Sequence, residues 1–466
     1  MTNVNYKVTG GLSENQLAIL HSKITEVLET VGMQITNHKI LDLLKGRPGF
    51  TINGERVCIN KGLIEECVAE TRNRCNETKK NGDWQLDILS GYPQYVADWK
   101  TGKVIPMLER DLIEMTRLVD VLHERGVRGS TPGSPQDIPV EIRDIHTFRI
   151  GAENCREGGL LPFSRPEVSE WIYRLMEVTG QEFKFEVFAL NPLRLEGNSL
   201  DVLLDLRDKI KHIFVGCMPI MGISAPIHVM GAYVIALASA WGTYAIVRDV
   251  TRFNNIDIGC RIWPVNMNSL DIVYGTPDMV LSDLVRKQLG EFYGWRVENN
   301  CKAFHSSTPV PDQQASAQRG AYGMAMALSG ERRYQFGGLL GVDMVFSPVQ
   351  LLQDLELINY YKHVVKGFEF SENSLSINAI KEVGPTGSFI THDTTLENFR
   401  EILWQPDFWP KVPHLCSQME GEIDFEARAR EEIEALLKKH NFCLSTEKKR
   451  EIDRICRMAE ASLLNK

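Results

Sequence analysis

Phe183–Leu190 reads FKFEVFAL, His212–Pro219 reads HIFVGCMP, and between them Leu200–Ile210 reads LDVLLDLRDKI. Two short apolar runs flank a segment with apolar residues at helical spacing, which is the pattern of strand, helix, strand. The rhythm continues downstream. HVMGAYVIALASAWGTYAIV (228–247) is helix-patterned, IDIGCRIWP (256–264) strand-like, and DMVLSDLVRKQLGEFYG (278–294) helical again. Upstream stand VRGST (127–131) and GLLPF (159–163), the latter followed by VSEWIYRLMEV (168–178). ENNCKAFHS (298–306), YQFGGLL (334–340) and GSFITH (387–392) complete the series. Eight strand–helix units in succession predict an α/β chain folded as a closed (β/α)8 TIM barrel. A doubly wound open sheet is the alternative. It suits eight units less well, and no glycine-rich dinucleotide loop follows the first strand.

Before the barrel, residues 13–80 read as helical. Leu17, Leu20, Ile24, Val27, Leu28 and Val31 recur at helical spacing, and Ser13 with Gln16 forms a capping box. Ile64, Cys67 and Val68 make a second set. YVADWKTGKVIP (95–106) reads as a β-hairpin turning near Lys100–Gly102. Residues 424–465 are charged and helical. The expected division is 1–125, a helical region with the hairpin; 126–410, the barrel; and 411–466, a helical cap.

The chain has 466 residues, 43% hydrophobic and 24% charged, with a formal net charge of -9. That balance is globular, and its acidity argues against a nucleic-acid binder, which needs a basic face. The start is polar, with no signal peptide to read. Ile223–Val247 is the most apolar stretch, but His228 and small residues interrupt it, so a buried core helix is expected rather than a membrane span. Ten scattered cysteines without a CxxC pair suggest reduced thiols in the cytoplasm.

Three segments carry a family resemblance: CMPIMGISAPIHVMGA (217–232); PDQQA (311–315) with GGLLGVDMVFSPVQLLQDLE (337–356); and GPTGSFITHDTT (384–395) before FREILWQP. Their order and spacing resemble the trimethylamine methyltransferase (MttB) family over nearly the whole chain. Trimethylamine-specific members carry pyrrolysine near the segment before PDxQ. Here that segment is FHSSTPV (304–310), and only standard residues are present. The resemblance therefore points to the non-pyrrolysine branch, similar to glycine betaine:corrinoid methyltransferases. It implies transfer of a methyl group from a quaternary amine to cobalamin, as cob(I)alamin becoming methylcobalamin, on a cognate corrinoid protein. A second methyltransferase would then deliver the group to tetrahydrofolate. Glycine betaine is the first substrate expected, leaving dimethylglycine; proline betaine, carnitine and γ-butyrobetaine follow. A homo-oligomer is also implied. No membrane or nucleic-acid partner is expected.

A quaternary ammonium needs no general acid, because displacement releases a neutral tertiary amine. The protein's part is positioning, and ring faces suit a cation that loses its charge better than a salt bridge does. Barrel sites lie at the carboxyl ends of strands. The substrate-binding candidates there are the rings Trp263, Phe304, Phe336, Phe346 and Phe389, each of which core packing also explains. His305 and His392 could donate to a carboxylate or serve the fold. Asn266 and Asn268 fit polar recognition or a turn. Glu186 on the third strand faces the mouth or pairs with an arginine. Gly337, Gly338, Gly384 and Gly387 admit a cofactor's close approach or make turns. Asp312 and Gln314 read as helix-cap residues. No metal ion is expected in the chain. The competing enzyme reading is a zinc-dependent cobalamin methyltransferase barrel with ligands among Cys217, Cys260, Cys301 and His305, for which no ligand spacing is present. The competing non-enzyme reading is a quaternary-amine binding protein.

Overall fold

The computed structural model describes residues 2–78, 83–161, 165–197, 199–295, 301–409 and 425–464. The central strands form as expected. Lys184–Ala189, His212–Cys217 and Ile256–Cys260 lie side by side, parallel and in chain order. Val187, Val215 and Ile258 align across the three and are buried. Side chains alternate along a strand, so these three face one layer, against which the helix Val229–Thr251 packs. Glu186, Phe214 and Asp257 align on the opposite face, with Phe188, Gly216 and Gly259 one step further along.

A second parallel group has Arg333–Gln335 beside Gln85–Asp87, and Gln85–Asp87 beside Val127–Arg128. Cys301 bridges to Tyr334 on the other side of Arg333–Gln335. Gln85–Asp87 was expected to belong with the N-terminal region, yet it carries the parallel sheet upstream of residue 126. The expected last strand, GSFITH, is corrected. Residues 387–392 form no strand, and the helix that follows, Asp393–Ile402, has no buried residue. The place beside Arg333–Gln335 is taken by Gln85–Asp87. Strand character depends on a neighbour to pair with, and among the described residues Phe389 and Ile390 have none. Of GLLPF, Gly159–Leu161 fall in no strand, and residues 162–163 lie outside the described residues, as do 298–300 of ENNCKAFHS.

The expected helical stretch 13–80 is corrected in part: Glu14–Thr30, His38–Leu44 and Lys61–Thr78 are helices, but Met33–Ile35, Phe50–Asn53 and Arg56–Ile59 are strands of a small sheet that also takes in Arg194–Leu195. Ser13 Oγ accepts from the Gln16 amide at 3.3 Å and Gln16 Oε1 from the Ser13 amide at 2.8 Å, closing the capping box of helix Glu14–Thr30. This helix, with His38–Leu44 and Lys61–Thr78, packs on Val229–Thr251. The latter is long and apolar enough to cross a membrane, but its apolar window is 72% buried inside the fold, as a core helix should be. The contact is close: a Cβ on Gly242 would lie 2.2 Å from Met33 Sδ. The hairpin pairs Tyr95–Ala97 with Val104–Pro106, its turn closed by the Gly102 amide donating to the Asp98 carbonyl at 2.7 Å. Helix Phe425–Leu437 covers Glu109–Leu122, and Thr446–Leu463 covers Ser169–Thr179.

Candidate functional site

The face of the central strands turned away from the helices carries rings and charges. Phe188 and Phe214 meet there, centroids 5.9 Å apart. Gly216 makes that possible, since a Cβ would stand 2.8 Å from the Phe214 ring and 2.9 Å from Phe188. Glu186 precedes Phe188 on the same face. Arg261 and Trp263 continue the face beyond Ile256–Cys260. Lys302 follows Cys301, and Phe336 follows Arg333–Gln335. Their loops contribute Tyr274, His305 and Asp343.

His305 is buried as the middle plate of three. Its ring stacks on Tyr274 at 4.1 Å and on Phe336 at 4.0 Å, with Trp263 tilted at 5.5 Å. Asp343 Oδ2 accepts from the Tyr274 hydroxyl at 2.9 Å. Asp343 Oδ1 is 2.8 Å from His305 Nε2 but out of line, and neither ring nitrogen makes a hydrogen bond among the described residues. Phe336 and Asp343 both have left-handed backbone, φ 72° and 68°. Such residues cost on the order of 1–3 kcal/mol each and persist where surroundings over-determine them. For Phe336 the Asp87 carbonyl does this, accepting its amide at 2.7 Å.

Lys302 Nζ lies 4.2 Å from the Phe336 centroid and 5.5 Å from that of Trp263. Its ammonium is held by ring faces alone; it makes no hydrogen bond or ion pair among the described residues. Arg261, by contrast, is paired with Asp283, which also holds Arg286 at 3.2 Å and accepts from the Tyr322 hydroxyl. Burial, reinforced by the Arg261 charge and opposed by Asp343 and Asp283, brings Lys302 down to about 7. Burial pushes the Glu186 carboxyl up to about 7 against the pull of Lys302. Burial brings His305 down to about 4 despite Asp343, so the ring is neutral at neutral pH. Burial alone would raise Asp343, but its contact with His305, the Lys302 charge and the Tyr274 hydroxyl outweigh it and hold the carboxyl below its usual range. Displaced titrations gathered on one strand-end surface are a mark of function.

Of the residues expected from sequence, Trp263, His305, Phe336 and Glu186 come together here. The others are placed elsewhere. Asn266 and Asn268 are exposed in a turn, Asn266 Oδ1 accepting the Asn268 amide at 2.9 Å. Phe304 is buried against Tyr334 and under the Arg319 guanidinium, and Phe346 is buried in the same core cluster. Phe389 is exposed, and His392 caps helix Asp393–Ile402 by accepting the Thr394 amide at 3.2 Å. Gly337 and Gly338 are packing glycines: a Cβ would strike Leu86 at 2.7 Å and Phe346 at 2.8 Å. Gly384 and Gly387 belong to the outlying segment with Phe389, so none of the four cradles a cofactor at the ring cluster. Asp312 caps its helix, accepting the Ala315 amide at 2.7 Å.

The thiols do not gather with His305. Cys217 donates to the Ala236 carbonyl at 3.0 Å, on the helix side of its strand, and Cys260 is its neighbour in register. Burial drives Cys217 and Cys301 well above the usual thiol range, which opposes thiolate ligation of zinc. Asp120, His123 and Cys155 offer ligand-type atoms within 4.8 Å of one another. They already serve the fold, Asp120 holding Arg156 at 2.6 Å and His123 the Gly129 carbonyl at 2.9 Å. A cavity of about 740 Å³ lies outside the ring cluster, between the hairpin and the starts of two helices. Two of its polar walls, Asp312 and Ser347, are occupied as helix caps, whereas the displaced titrations of Glu186, Lys302 and His305 lie at the rings.

Comparison with known proteins agrees with the resemblance. The family model for trimethylamine methyltransferase (MTTB) matches residues 2–454. Glycine betaine methyltransferase of Desulfitobacterium hafniense (strain Y51) is 22% identical, covering 85% of this chain and 85% of that protein. Trimethylamine methyltransferase MttB of Desulfitobacterium hafniense (strain DSM 10664 / DCB-2) is 21% identical over 92% and 90%, and MttB of Methanosarcina barkeri 23% over 91% and 90%. A crystal structure of a hydroxylamine MtmB complex aligns over 94% of this chain and 97% of that one, with 13% identity and a TM-score of 0.35.

Proposed function

Because the chain belongs to the trimethylamine methyltransferase (MttB) family, we propose that it moves a methyl group from a quaternary amine, glycine betaine first, to a corrinoid protein's cobalamin. The observation that carries this reading is the ring-lined surface at the strand ends. Phe188, Phe214, Trp263, Tyr274 and Phe336 surround it; Lys302 already lies on Phe336 and Trp263, and the ring faces that remain attract a quaternary ammonium by about 0.5–2 kcal/mol each, depending on desolvation. The two parallel groups of strands are read as halves of one (β/α)8 barrel whose lumen holds these residues. Residues 1–125 and 411–466 are read as its helical attachments.

Reduced cobalt supplies the nucleophile when the partner is bound. This chain's residues do the rest. The rings hold the ammonium and exclude water, and the fixed plates of Tyr274, His305 and Phe336 limit how the substrate can turn. The nitrogen leaves with its electron pair and without charge, so no proton donor is required. The site suits that demand, since at neutral pH Glu186 is only partly ionised and the cation is not over-stabilised in the ground state. The cobalamin would come with the partner, and the cytoplasm is the compartment that suits such a pair.

Purified protein mixed with cob(I)alamin and glycine betaine tests the reading. A change to the methylated cofactor's visible spectrum is expected, with dimethylglycine formed in equal amount. No change with glycine betaine, proline betaine, carnitine or γ-butyrobetaine would overturn it.

A further inference from the structure

Lys302 is the residue the proposed chemistry leaves over. A methyl donor carrying only a cation would be repelled by an ammonium in its own site. Yet here Lys302 sits on the faces of Phe336 and Trp263, where such a cation would bind. Across the same surface Glu186 stands beside Phe188 and Phe214, and it too makes no ion pair among the described residues. The surface thus has a positive end and a negative end, each with rings, and the two do not touch. His305 adds a buried ring whose Nδ1 has no hydrogen-bond partner among the described residues, while its Nε2 lies 2.8 Å from Asp343 Oδ1.

We infer that Lys302, assisted by His305, anchors the anionic end of a zwitterionic substrate, with the ammonium end on Phe188, Phe214 and Glu186. The inference deepens the proposed function and rests on it: the methyl donor is a quaternary amine that also carries a carboxylate. Trp263 and Phe336 then hold the lysine rather than the donor. Electroneutrality supports the assignment. Lys302 and Glu186 together match a zwitterion charge for charge, while choline or tetramethylammonium brings no anion to the ammonium of Lys302, which makes no direct ion pair among the described residues.

The groups around Lys302 set how binding responds to pH. Facing it are Glu186 from one strand, Arg261 with its partner Asp283 and then Arg286, and His305 and Asp343 from the loops. Burial brings Lys302 and Glu186 both to about 7. Below that value the lysine is charged and the glutamic acid neutral, which favours an anion. Above it the reverse holds, which favours a plain cation. The ratio of betaine to tetramethylammonium affinity therefore falls as pH rises from 6 to about 8.5.

Calorimetric titration of the whole protein with glycine betaine, choline and tetramethylammonium tests the inference without methyl transfer. The wild type is expected to bind betaine at least about 10-fold more tightly than choline at pH 7, the effect of one hydrogen bond to a charged group. Lys302→Met should bring that ratio close to one while keeping tetramethylammonium binding, and Lys302→Arg should retain most of it. Equal wild-type affinity for betaine and choline would overturn the inference, and so would an unchanged ratio in Lys302→Met. Should Lys302→Met not fold, the wild-type ratio and its fall with pH still decide. Failure of the proposed function looks different: selective betaine binding with no methyl reaching cob(I)alamin.

Discussion

His305 carries an ionisable ring where no water reaches to solvate its charge, and the consequence is calculable. An unfolded chain protonates this ring near 6.5, whereas the fold holds it neutral down to about 4. Between those values the unfolded state binds more protons, so stability falls as pH falls through that window. The full effect is on the order of 3 kcal/mol at about 1.4 kcal/mol per pH unit. Glu186 works the other way between about 4.5 and 7, because its folded carboxyl takes a proton first. Comparing wild type with His305→Phe, which keeps the stack, isolates the histidine. Urea midpoints should show the wild type losing ground to the variant as pH drops from 7 to 4, and a constant gap would refute the neutral ring. Phe214 offers a second residue-scale test. Phe214→Leu keeps an apolar side chain of somewhat smaller size but removes a ring face, so tetramethylammonium affinity should drop roughly 2- to 30-fold in a calorimetric titration. Trp263 and Phe336 could be chosen from sequence because an aromatic at a strand end is a visible signal. Lys302, Tyr274 and Asp343 could not. A lysine reads as solvated surface, and only its neighbours in space show that its ammonium sits on rings. Parity was the available clue: Cys301 packs outward beside Tyr334, so the next side chain turns inward.

Among the elements, helix Val229–Thr251 joins the N-terminal helices to the central strands. Gly242 is where Met33 presses closest. Gly242→Ala should cost about 1–3 kcal/mol through overpacking, read as a lower melting temperature in scanning calorimetry. Met33→Ala opens space for the new methyl, so the double variant should lose less than the two single losses added. Strict additivity would mean the contact is not tight. This helix was legible because its apolar run is long and broken by small residues, which suits burial on every side. The strand Gln85–Asp87 was not. Three residues are too few for a period to appear, and the strand exists because Arg333–Gln335 and Val127–Arg128 offer it backbone on both sides. Conversely, GSFITH has strand-like residues but no partner, and stays a turn. Local pattern marks where apolar residues fall, while pairing decides which short runs become strands.

At the scale of the whole molecule, the rim around the ring cluster is unusually apolar for an exposed surface. Met218, Ile223 and Ile227 project from the loop after His212–Cys217, and Met267 and Leu270 from the loop after Ile256–Cys260, all exposed. Ile227 and Met267 both approach Gly222, so the two loops form one continuous face. An exposed apolar patch edged by polar residues marks a place where another molecule is received, and the proposed reaction requires a cobalt to arrive from outside the chain. The sequence shows these residues only as scattered apolar positions in loops, because their meeting depends on strand order. Ile227→Glu with Met267→Glu should leave the ring cluster intact and place two charges where an apolar partner would dock. Methyl transfer to the corrinoid protein should then fall at least about 10-fold, the loss expected when carboxylates oppose a packed apolar contact. Transfer to free cob(I)alamin, which needs no protein docking, should keep its wild-type rate. A parallel fall in both would place the damage in the substrate site, and no fall in either would put the docking face elsewhere.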